Sequence, residues 1–147
     1  MIDIQEQFQT FSATLGWVFS YGNETNQNLL MADEFEDNIY LLLDTVKESE
    51  AEPSEFGGDG EITYTGNFML MIQSDFDNVY HNQNDADENK SRYIKNIKPL
   101  KRVELPKLKN LIDCSDMKRE LWEVVEVINM MDANLDGVVV TFSIKHL

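Results

Sequence analysis

Cysteine is almost absent. Cys114 stands alone among 147 residues, so no disulfide can form within the chain and neither a disulfide scaffold nor a cysteine-based zinc site is available. That favours a reducing compartment. Histidine occurs twice, at His81 and His146, and proline three times. Basic side chains are scarce over most of the length: residues 1–89 hold 19 acidic groups and one basic one, Lys47. Long apolar runs are missing too, and none could span a bilayer. The opening segment MIDIQEQFQTF carries Asp3 and Glu6 where a secretory leader needs basic residues followed by an apolar stretch, so the expectation is a protein neither exported by that route nor integral to a membrane. The acceptor pattern Asn23-Glu24-Thr25 is then a chance match.

What is present suffices for a core. Hydrophobic residues make up 42% and aromatics 10%, enough for one domain of this length despite the charge. No repeat and no linker interrupts 1–147, which reads as a single domain. The net charge of −15 opposes docking onto nucleic acid or an anionic membrane, and favours partners with basic surface. Its distribution is uneven. Residues 90–119 hold ten basic and three acidic groups, and residues 120–147 hold five acidic and one basic. Such blocks are either solvated faces or complementary surfaces for head-to-tail packing. On the second view the candidate interface residues are Lys90, Arg92, Lys95, Lys98, Lys101 and Arg102 on the basic side, with Glu50, Glu52 and Glu55 on the acidic side.

Hydrophobic spacing predicts the elements. Ile4, Phe8, Phe11 and Leu15 form one face of a helix entered at Asp3 and ended by Gly16. The run WVFSY from Trp17 reads as a short strand, and 23–37 as an irregular or briefly helical connection. Residues 38–47 and 61–73 read as strands, with Ile62, Tyr64, Phe68, Leu70 and Ile72 on one face of the second. Between them ESEAEPSEFGGDG, 48–60, is expected to be an extended, mobile hairpin loop. Ser74 to Glu88 reads as an exposed connection or a capped helix start. Tyr93, Ile94 and Ile97 predict a helix ended or bent at Pro99. A further helical piece opens at Pro106 and carries Leu108, Leu111 and Ile112. Residues 121–131 and 138–144 predict a terminal hairpin turning at Asp136-Gly137. The simplest packing is α+β: a mainly antiparallel sheet with helices on one side.

No catalytic constellation emerges, and no cofactor is implied. Asp132-Ala133-Asn134-Leu135-Asp136-Gly137 matches the first half of a calcium loop, yet the twelfth position is Ser143 where a bidentate glutamate is required; a glycine-containing turn explains the same residues. His81 lies among Asp75, Asp77, Asp85 and Asp87 with no orienting partner, which suits a solvated loop better than a metal or acid–base site. Carboxylates around Cys114 disfavour a thiolate, so a buried helix-end thiol is expected. Gly57-Gly58-Asp59-Gly60 is acidic and lacks the lysine of a phosphate loop. Of the seven methionines, which include Met69, Met71, Met130 and Met131, most are expected to fill the core, with a methionine-rich adaptable interface as the alternative.

The element order together with YTGNFMLMIQSDFDNVY, SRYIKNIKPL and INMMDANLDGVVVTFSI resembles the tail-terminator and tail-completion proteins of bacteriophage necks. The resemblance implies a small, catalytically inert α/β subunit that forms a homo-oligomeric ring, commonly hexameric, at the head-proximal end of a tail tube. It implies other neck and tail proteins as partners, and a place in the virion after assembly in the bacterial cytoplasm. The 48–60 loop would be the arm such rings project onto a neighbour. No family residue carries a defined role to transfer. The charge offers an alternative from a different class, an acidic immunity or inhibitor protein that neutralises a basic toxin or nuclease.

Overall fold

The computed structural model describes residues 3–22, 38–52, 60–73, 91–130 and 135–146. Helix α1, Ile4–Leu15, begins where the Asp3 carboxylate accepts the Glu6 amide at 3.2 Å and ends at Gly16, whose φ of 75° suits a residue without Cβ. Ile4, Phe8 and Phe11 are buried, and the one polar group on that face, the Ser12 hydroxyl, donates to the Phe8 carbonyl at 2.8 Å. Both ends and the inward face are thus written locally, and the helix expected from them is found.

Strands β1 (Val18–Tyr21), β2 (Tyr40–Leu43), β3 (Lys47–Glu50), β4 (Ile62–Gln73), β5 (Met117–Met130) and β6 (Leu135–His146) form one sheet in the order β1-β2-β4-β6-β5. β3 follows β2 along the same flank of β4: β2 covers Phe68–Met71 and β3 covers Ile62–Thr65. β1 runs parallel to β2 and all other neighbours are antiparallel. The sheet is therefore mixed, mostly antiparallel, and β5 is one of its edges. β3 takes Glu48–Glu50 out of the expected loop, and the strand expected over 38–47 is broken at 44–46. Residues 53–59 of that loop lie outside the described residues.

The second helical segment, beside α1 on the same face of the sheet, is continuous through Pro99. Two π-helical turns, π1 (Tyr93–Ile97) and π2 (Leu100–Glu104), flank the proline and lead directly into α2, Leu105–Asp113. Proline lacks the N–H for the helical ladder and its ring crowds the carbonyl a turn earlier, and widened turns on either side accommodate both defects. Of the two outcomes expected at Pro99, an end or a bend, the helix does not end there. Pro106 sits in the first turn of α2, as expected.

Helices and sheet share one core. Phe8 meets Phe68 at 5.5 Å and Phe142 at 5.3 Å, and around this trio pack Leu41, Leu43, Leu70, Ile97, Leu100, Leu108, Ile112, Val138 and Val140. The period-two face of β4 is as expected, but the strand is buried on its other face as well. There Met69 and Met71 join Tyr40, Leu42 and Leu135 in a second cluster, built from strands alone among the described residues. The closing hairpin reverses between Met130 and Leu135, not at Asp136-Gly137. Both of those residues lie inside β6, paired with Ile72 and Met71 of β4. Gly137 is needed for proximity and not for a turn: a Cβ there would stand 2.0 Å from the Leu70 carbonyl oxygen.

Candidate functional site

Of the basic candidates, Arg92 is removed from any surface. It is 6% exposed, and its guanidinium grips Asp136 in a fork, Nε to Oδ2 at 2.9 Å and Nη2 to Oδ1 at 2.5 Å, while Asn96 Nδ2 donates to the same Oδ2 at 3.2 Å. The expectation of an interface arginine at 92 is corrected. The same contact takes up the fifth position of the calcium-loop pattern, since both Asp136 oxygens accept from protein donors. Lys95, Lys98 and Arg102 are exposed along the helix. Lys101 is half-buried, with its ammonium 3.6 Å from Glu126 on β5. Lys90 and Glu55 lie outside the described residues, as do His81 and Asp132. Cys114 is at the end of α2 as expected but exposed, its thiol 3.7 Å from the Asn110 side-chain oxygen. Its short side chain points away because the last turn of α2 presents Ile112 inward instead.

On the acidic side Glu50 and Glu52 are exposed at and just beyond the end of β3, with Glu48 exposed in the strand. The topology sets the two charges apart. β3 flanks the Ile62–Thr65 end of β4, whereas Arg92 anchors π1 over Asp136, which is paired with Ile72 near the other end of β4. Seven to ten residues of strand separate these levels, about 23–33 Å at the rise of an extended chain. The helix also lies over β6 and β5, on the far side of β4 from β3. The exposed Glu48, Glu50 and Glu52 and the exposed Lys95, Lys98 and Arg102 thus lie on opposite flanks of β4, diagonally across the sheet.

No protein-family model, curated protein or solved structure matches the chain. The geometry has to be read by itself.

At the acidic corner a cleft of about 400 Å³ opens between the start of α1, the end of β1 and β3. Asp3, Ile4, Gln5, Tyr21, Val46, Glu48 and Tyr64 line it. Glu48 is paired in register with Tyr64, so both side chains stand on the helical face of the sheet. Burial first, and then the neighbouring Glu48 carboxylate, push the Tyr64 phenol above its usual range. Both effects disfavour a further negative charge there. Sequence reasoning singled out none of these residues as a site. The one available signal was a tyrosine, with its polar tip, at a core-facing position of β4. Among the described residues no helix is long and apolar enough to cross a membrane.

Proposed function

We propose that this chain is a structural subunit of a bacteriophage neck or tail, a tail-terminator or tail-completion protein that builds a homo-oligomeric ring by contacts between unlike faces. It acts through protein contacts and not through catalysis, needs no cofactor, and works in the virion after assembly in the bacterial cytoplasm beside other neck and tail proteins. The observation that carries this is the diagonal separation of the acidic β3 corner from the exposed Lys95, Lys98 and Arg102. A ring requires two different, complementary patches on each subunit, and these two sets of side chains, on opposite flanks of β4, carry opposite charge.

Sedimentation velocity across a range of salt, with purified tail tubes added in a second series, tests the proposal. A salt-sensitive closed oligomer that caps tubes is expected. A strict monomer that also fails to join tubes would remove the reading. The acidic corner with its aromatic-lined cleft equally suits the second possibility, an immunity or inhibitor protein. A one-to-one complex with a basic toxin or nuclease, tight at low salt and weak at high salt, would select that one.

A further inference from the structure

The chain has three arginines. Arg92 is buried on Asp136. Arg119 forks onto Asp113 at 2.9 and 2.8 Å and lies over the Trp122 ring at 5.3 Å. Arg102 is exposed and, among the described residues, has no carboxylate partner. A planar guanidinium is best held by a carboxylate edge together with an aromatic face. Arg119 already shows that pairing inside the fold, with Asp113 and Trp122 in those two roles.

The cleft at the opposite corner offers the same pair of groups. Glu48 is exposed and meets no cation among the described residues, and Tyr21 stands at the rim, 38% exposed, on the same face as Tyr64. The start of α1 would by its dipole favour an anion, but Asp3 caps it and Glu6 lies in its first turn. The volume is within the range of pockets that enclose small guests, ample for one long side chain.

We infer that the cleft formed by Glu48, Tyr21 and Tyr64 is a guanidinium receptor, and that its occupant is Arg102 of a second copy of this chain. The choice of occupant rests on the ring reading above; the guanidinium chemistry of the cleft does not. Donor and receptor lie on opposite flanks of β4, and in the ring each subunit gives one arginine to a neighbour and receives one from another.

A charge-swap cycle tests the contact. Arg102→Glu and Glu48→Arg each place like charges together, and each is expected to weaken association by about a hundredfold. The doubly substituted chain re-pairs them with the signs exchanged and is expected to recover most of the loss. Both positions are exposed, so circular dichroism should show all three chains folded. The receptor is read separately on the Arg102→Glu protein, whose cleft is vacated: ethylguanidinium should shift the Tyr21 and Tyr64 ring signals in NMR, and Glu48→Gln in that background should abolish the shift. Failure of the double substitution to recover association, or equal ethylguanidinium shifts with and without Glu48, overturns the inference. A ring that survives both single reversals overturns it while leaving the ring reading intact. A parent chain that is monomeric throughout overturns the second-copy assignment and the ring reading together.

Discussion

Asp136 is wholly buried, and both of its carboxylate oxygens accept from Arg92, with Asn96 adding a third bond. Shortening it to alanine leaves a guanidinium inside the fold without its carboxylate, a change that costs about 3–5 kcal/mol where buried pairs are broken. Urea denaturation of Asp136→Ala should show a loss of that order, while Arg92→Met with Asp136→Leu should cost less than the single change, because no charge is then left behind. Nothing near Arg92 in the chain announces this role. A basic residue in SRYIKNIKPLKR reads as surface, and its partner lies 44 positions away. Asp113 offers a weaker counterpart at the surface. The Arg119 fork holds its carboxyl below the usual carboxylate range, chiefly by hydrogen bonding, against an opposing pull from slight burial. A depressed folded-state value means the pair stabilises the fold above the unfolded carboxylate pKa, near about 4. That contribution disappears as pH falls through the lower folded value. Exposure keeps it small. Arg119→Gln should return Asp113 to the ordinary range in an NMR titration, and no change would show the fork to be without effect.

Elements were legible where their signals are local. α1 carries its cap, its inward face and its stop within fourteen residues, and β4 carries Ile62, Tyr64, Phe68, Leu70 and Ile72 at one parity, so both were readable. β3 was not, because Lys47-Glu48-Ser49-Glu50 has no apolar residue: it is a strand only because β4 offers it a ladder, and all four side chains are exposed. Of the candidate site, the exposed basic row at Lys95, Lys98 and Arg102 was legible as charge. The cleft was not, since Asp3, Tyr21, Glu48 and Tyr64 come from four separate elements. The Asp136-Gly137 pair misled for a related reason. Its glycine answers to the approach of β4, which no neighbour in sequence reports. Gly137→Ala should therefore destabilise although the backbone there is ordinary extended strand. Alanine must displace the Leu70 carbonyl or spread β6 from β4, an overpacking cost of about 1–3 kcal/mol or more. Thermal unfolding measures it, and a neutral result would mean that the two strands separate freely.

For the molecule as a whole, charge separation across the sheet predicts that assembly and folding respond differently to the same change. Reversing Lys95 and Lys98 to glutamate should leave the melting temperature almost unmoved, because exposed charges contribute only about 0–1 kcal/mol each to folding. The oligomer seen by sedimentation should nonetheless dissociate. Unchanged assembly would reduce this stretch to a solvated helix face. The long outer strand β5 brings a further consequence, for solubility. It is 14 residues long and pairs with β6 alone among the described strands, and Leu121, Val125 and Ile128 are exposed on it. Such an edge is a template for endless sheet growth. Glu120 and Glu123, both exposed on it, act as gatekeepers, because any strand of another copy approaching that edge must bring its own carboxylates close to these. Glu123→Val should accordingly yield a protein that folds but deposits thioflavin-positive aggregate on standing, at concentrations where the parent chain stays clear.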